Sequence, residues 1–326
     1  MPGEDFADSM HTVLGEVGEL PHLVELPARG AGAAMVGRTL SLITELGVDL
    51  QPAGWRLTDA SGLDYRRAAS LLAQDLDTLE ELMQDQQGPL KVQVTGPWTL
   101  AAAVERPRGD KVLADHGARR DLAQALAESL RSHIADVQRR VSGARIVIQV
   151  DEPALPSVLA GSIPTASGFS RHRSVTEADA AQALGWACDA IAESGAEPVL
   201  HCCARDVPWA VLRQTPIQAV SFDVSRVESE QYDELAAWVD AGRQVWLGVL
   251  PALDPARRPP SDADITRRVQ TWWGNLGFSD AEQLPPTTVT PTCGLAGASL
   301  AWARQALGLA QRVAQNLSEQ HGKMGS

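Results

Sequence analysis

Short apolar runs alternate with longer amphipathic stretches along the whole chain. The runs read as strands over His22–Leu26, Leu90–Val94, Arg145–Val150, Val199–His201, Gln218–Phe222, Gln244–Val249 and Thr288–Thr290. Between them apolar residues return at helical spacing, as Phe6, Met10, Val13, Leu14 and Val17 do. Helices are predicted over Asp5–Val17, Ala33–Leu46, Asp64–Met83, Val112–Val141, Thr176–Ser194, Glu228–Ala241, Ile265–Leu276 and Ala298–Leu317. Gln51–Leu57 reads as irregular, because it carries a Pro and a Gly. Near-continuous apolar strands between helices signal a parallel sheet covered on both faces. No repeat, low-complexity linker or compositional break divides the chain, so residues 1–326 are expected to form one domain.

Polar residues recur just after the strands: Glu25, Thr95, Asp151, His201, Asp223 and Cys293. In a (β/α)8 barrel all such ends converge on one face, where active sites lie. The expected class is therefore α/β, a (β/α)8 TIM-type barrel, with a doubly wound open sheet as the alternative. Only seven strands are legible, and an eighth would have to precede Asp5. The first strand is thus expected to be missing or atypical.

Charge and composition narrow the function. With 28 basic against 41 acidic residues the net charge is −13 and the pI near 5.0, which disfavours nucleic acid and anionic membranes as partners. No apolar run reaches the roughly 18 residues of a membrane span. The acidic start, Met1 to Phe6, does not read as a signal peptide. Four cysteines, two of them adjacent, do not form a secreted disulfide framework. A soluble cytoplasmic protein is expected.

The candidate chemistry centres on His201-Cys202-Cys203. In an extended backbone residues two apart share a face, so His201 and Cys203 point together and Cys202 points away. Imidazole and thiolate suit Zn²⁺. Asp223 and Cys293, both at predicted strand ends, are the further candidate ligands. Cys188 lies on a helix and reads as core.

Several stretches carry a family resemblance. They are Leu23-Val24-Glu25-Leu26, Val94-Thr95-Gly96-Pro97, Gln149 to Leu155, His201-Cys202-Cys203, Val220 to Arg226 and Thr290 to Leu295, in that order. The chain resembles the catalytic C-terminal domain of cobalamin-independent methionine synthase, in its short, core-only form. The resemblance implies zinc-dependent methyl transfer to the thiol of homocysteine, giving methionine. It places the zinc ligands on His201, Cys203, Cys293 and Asp223, where Asp223 stands in for the family's Glu. It places the contacts to the substrate amino group on Glu25 and Asp151, and Glu152 is a further candidate for substrate binding.

Three departures bear on that picture. A Gly-Ser segment that helps hold the substrate carboxylate in the family has no counterpart here. Leu253 stands where the family has a His that helps protonate the leaving group. Ala103 stands where a folate-stacking Trp is expected, with Trp98 nearby. Two departures touch the methyl donor, so the donor is either a folate or a methylcorrinoid protein. Two other functions compete: a non-catalytic zinc or amino-acid binding homologue, and a uroporphyrinogen decarboxylase-like enzyme. The decarboxylase would want an arginine-lined cleft.

Overall fold

The apolar runs from Gly88 onward pair into one sheet. A computed structural model describes residues 1–84, 86–278 and 284–322. Two strands, β1 (Gly47–Gln51) and β2 (Gly54–Thr58), form an antiparallel hairpin. The others are β3 (Gly88–Thr95), β4 (Ala144–Asp151), β5 (Glu197–Cys202), β6 (Ala219–Asp223), β7 (Gln244–Leu250) and β8 (Thr287–Pro291). These six lie side by side in chain order, all parallel, in a sheet curled as a half-barrel. The fold is α/β and of the TIM-barrel type.

Helices return the chain between strands. The longest described are Leu63–Leu82, His116–Arg140, Glu177–Glu193 and Leu300–Gly322. Their starts follow local chemistry. Asp115 and Thr176 cap free N–H groups at two of them, and Ser261 with Asp264 makes a capping box for Asp262–Asn275.

Two apolar layers result. The outer one packs helices on the sheet and includes Trp209, Phe222, Trp238, Trp272 and Trp273 in edge and tilted ring contacts. The inner one is a separate cluster of Val147, Val199, Ala219 and Trp246, with Leu20 against it. Strand register explains the separation, because Val147 lies beside Glu197, Val199 beside Ala219 and Ser221 beside Trp246. Alternate residues face inward, and this inner set plugs the lower interior.

The structure corrects three expectations. His22–Leu26 is not a full strand: one parallel bridge joins His22 to Lys91, through Leu23 N to Lys91 O at 2.8 Å and Lys91 N to Pro21 O at 2.9 Å. Pro21 and Pro27 flank this segment, and a proline cannot donate to a ladder. Residues 1–5 form no strand either, so among the described residues the sheet has six strands and one bridged segment. Gln51–Leu57 is not irregular, since it turns at Pro52-Ala53 and pairs as β1 and β2. Gly54, at φ 126°, permits that turn. The helix predicted over Ala33–Leu46 covers only Met35–Leu40.

Candidate metal and substrate site

Residues at the C-terminal ends of β5 and β8 come together. His201 is on β5, Cys203 follows that strand directly, and Cys293 follows β8. One donor atom from each lies within 4.8 Å of the others. The two Sγ atoms are 3.3 Å apart. His201 pairs in register with Ser221, and its Nδ1 is 3.0 Å from the Ser221 hydroxyl, which fixes the ring and frees Nε2. The hydrogen bond between them, with help from His201, lowers Cys293 to about 4, and the same bond together with burial raises Cys203.

Cys202 points the other way into the outer core, where burial pushes its thiol up to about 12. Cys188 is wholly buried on its helix, and burial raises it too. Neither joins the cluster.

Asp223 is not drawn into the group of three. It ends β6, where Oδ1 accepts from the Ser225 amide at 2.9 Å and hydroxyl at 2.6 Å, and Oδ2 from Arg226 Nε at 3.2 Å. Its carboxylate closes the turn that follows the strand.

The acidic pair expected to hold an amino group does lie beside the cluster. Asp151 ends β4 next to His201 and is 9 % exposed. Burial raises its carboxyl, while the charges of His201 and Lys91 and a hydrogen bond from Gln149 work against that rise. Glu25 is raised by burial, opposed by Arg38, whose Nε is 3.4 Å away. Glu25 and Asp151 feel one another's charge. Around them Gln93 Oε1, Thr95 Oγ1, Trp246 Nε1 and Thr290 Oγ1 are buried without a hydrogen-bond partner. The chamber above the apolar plug is therefore polar.

Glu152 requires a correction. It is fully buried, and its Oε1 accepts from Trp98 N at 2.8 Å. Its Oε2 accepts from Thr99 N at 2.8 Å and Thr99 Oγ1 at 2.7 Å. Glu152 thus caps the start of the Pro97–Ala103 helix, whose free N–H groups want an anion. Both its oxygens are engaged by that helix, and the side chain is out of reach of solvent. Burial raises its carboxyl to about 7.

The positions that the resemblance ties to the methyl donor carry little chemistry. Leu253 is 61 % exposed. Asp254 beside it accepts from the Ser299 amide and hydroxyl at 2.6 and 2.5 Å, which holds its carboxyl low and ionised. Trp98 is buried and donates Nε1 to Ala180 O at 3.0 Å, so its ring is no stacking platform.

Sequence reading missed Lys91, Gln93, Gln149, Ser221 and Arg38. The signal for the first three was present. In Leu90-Lys91-Val92-Gln93-Val94 and Ile148-Gln149-Val150-Asp151 polar and apolar residues alternate within a buried strand, which marks a polar interior.

Residues 64–316 match the family described as cobalamin-independent synthase, catalytic domain. The chain belongs to this family. Among solved structures, it is similar to a B12-independent methionine synthase from Shewanella sp. W3-18-1 in complex with selenomethionine. The two share 17% identity over 78% of this chain and 68% of that one, with a TM-score of 0.51, which supports the fold. A GH5 xyloglucan-specific endo-β-1,4-glucanase from a metagenomic library, in complex with cellotriose, also aligns. It does so over 95% of this chain and 99% of its own at 11% identity and TM-score 0.42, too low to carry an argument. No curated protein matches.

For a cobalamin-independent synthase domain the donor set fits zinc. Two thiols and an imidazole converge, the imidazole is oriented from behind, and the softness of the donors suits that metal. Three protein ligands with one open position is the pattern of a catalytic zinc site.

Proposed function

We propose that the chain catalyses zinc-dependent transfer of a methyl group to the thiol of homocysteine, giving methionine. One observation carries this reading: His201, Cys203 and Cys293 converge from distant parts of the chain beside the buried Asp151. His201, Cys203 and Cys293 would hold the metal. Asp223, which closes its own turn with Ser225 and Arg226, is the further candidate ligand the sequence offered. When bound, Zn²⁺ supplies the Lewis acidity that turns an added thiol into its nucleophilic thiolate near neutral pH. Asp151 and Glu25 select an amino acid by giving its ammonium group charge-assisted hydrogen bonds. Their placement next to the His/Cys cluster orients the acceptor with its sulfur toward the metal and its amino group toward the carboxylates.

The donor we propose is a methylcorrinoid protein rather than a methyl-folate. A methyl on a folate nitrogen leaves only with acid help, typically worth about 10²–10⁴ in rate. Leu253 has no proton to give, Asp254 is held ionised by Ser299, and neither Ala103 nor the buried Trp98 offers a face for a pteridine. A corrinoid leaves without being protonated. A decarboxylase-like reading lacks its arginine-lined cleft, because Arg29 and Arg38 are tied to Asp75. A cytoplasmic location remains our reading of the acidic composition and the four free cysteines; no described helix is long and apolar enough to cross a membrane.

Metal analysis of the purified protein followed by a methyl-transfer assay on homocysteine tests the proposal. One zinc per chain with methionine formation is expected. Zinc without turnover from any donor would leave a binding protein, and no zinc would overturn the reading.

A further inference from the structure

Below the acidic pair, the barrel interior contains a half-buried relay that the reaction itself does not require. Lys91 on β3 faces inward and is half-buried. Its ammonium donates to Gln149 Oε1 at 3.0 Å, and Gln149 Nε2 donates to Asp151 Oδ1 at 2.8 Å. Adjacent strands set this geometry, because Lys91 pairs with Val147, Gln93 with Gln149 and Thr95 with Asp151. An amide carbonyl held by a cation has one rotamer choice left, so the amide nitrogen must face Asp151. The same strand steadies the other carboxylate: Gln93 Nε2 donates to Leu23 O at 2.7 Å, two residues before Glu25.

Accepting the acceptor reading above, we infer that Lys91 is a positioning residue that orients Asp151 through Gln149 and thereby sets selectivity for an amino acid over a plain thiol. Lys91 does not touch the acceptor. An ammonium in the barrel interior is costly to bury, and it is offset here by Asp151 and Glu25, whose charges oppose the downward push of burial on Lys91. A barrel needing only a filled core would place an aliphatic residue at this position, as it does in the layer of Val147, Val199 and Ala219. Gln149 is the joint of the relay, because among the described residues it alone hydrogen-bonds both the cation and the carboxylate.

The test uses the zinc-loaded full chain and two acceptors that differ by one group, homocysteine and 4-mercaptobutanoate. Their binding is measured calorimetrically in wild type, Lys91→Met, Gln149→Leu, the double variant and Asp151→Asn. Wild type is expected to prefer homocysteine. Lys91→Met and Gln149→Leu should each cut that preference about tenfold, with 4-mercaptobutanoate binding and zinc content unchanged. The double variant should lose no more than the worse single one, because a relay broken twice is still one broken relay. Gln149→Leu removes no charge, so it carries the test if Lys91→Met does not fold. Selectivity lost in Asp151→Asn but kept in both relay variants overturns the inference alone, and so does an additive double variant. Equal binding of the two thiols by wild type overturns the acceptor reading and this inference with it.

Discussion

Replacing Glu152 with Gln should show that this residue is structural, through a pH-dependent loss of stability. The carboxylate accepts from Trp98 N, Thr99 N and Thr99 Oγ1. In Glu152→Gln one oxygen still serves Thr99, but the amide nitrogen faces the Trp98 N–H. Leaving a buried N–H without an acceptor costs about 1–3 kcal/mol. That deficit applies at pH 5, where Glu152 is protonated and its hydroxyl oxygen still accepts. Linkage then changes the balance. The folded-state value of about 7 lies above the ordinary 4.5, because burial disfavours the charge. A raised value means the folded chain holds a proton that the unfolded chain has released. The stability this confers is complete below pH 4.5 and is lost as pH rises through 7. Between pH 5 and 8 the loss amounts to about 2–3 kcal/mol, at about 1.4 kcal/mol per unit. Glutamine does not titrate. The variant should therefore be less stable than wild type at pH 5 and match it at pH 8. Urea unfolding followed by tryptophan fluorescence at the two pH values measures this. Parallel stability profiles for the two proteins would refute the reasoning, and a full loss of homocysteine binding in a folded variant would return Glu152 to the substrate site.

Four further outcomes are expected. His201→Asn, Cys203→Ser and Cys293→Ser should each lose stoichiometric zinc, measured by metal analysis after dialysis, while Cys202→Ser, Cys188→Ser and Asp223→Asn keep it; loss in Asp223→Asn would make that carboxylate a ligand. Asp151→Asn should weaken homocysteine binding by about 1.5–3 kcal/mol, the worth of a hydrogen bond to a charged group, with zinc content unchanged. Methylcobalamin should serve as methyl donor to homocysteine where methyl-tetrahydrofolate and its polyglutamate form do not; robust turnover with either folate and none with the corrinoid rejects the donor proposal. Gly96→Ala should cost about 1–3 kcal/mol in thermal or urea unfolding, because the added Cβ would sit 2.3 Å from Glu152 Oε1 in a packed core.

The convergence of His201, Cys203 and Cys293 was legible in the sequence because these residues sit where strands stop. His201, Cys203 and Cys293 could be paired on paper from alternation and strand ends alone, and Cys202 and Cys188 set aside. The acidic pair needed the family resemblance, since one carboxylate after a strand looks like any other. Glu152 went wrong for the same reason: its neighbour in space, the start of the Pro97–Ala103 helix, is about fifty residues away in the chain. Asp223 misled in another way, because its turn partners Ser225 and Arg226 are local and compete for the same oxygens. The Lys91 relay escaped notice because the strands were read as uniformly apolar, which averages away a polar residue at every second position. Residues 22–26 have strand-like composition, yet two prolines at the ends leave too few donors for a ladder.

The inner cluster of Val147, Val199, Ala219 and Trp246 has a consequence for the order of events. Its side chains fill the interior below the acidic pair, so under the proposed function acceptor and donor would both approach from the strand-end side. The smaller amino acid would then sit deeper, against Asp151 and the metal donors, with the methyl carrier above it. Traffic on that reading would be first in, last out: methionine would leave after the spent carrier, and an excess of carrier would hold the finished product in place.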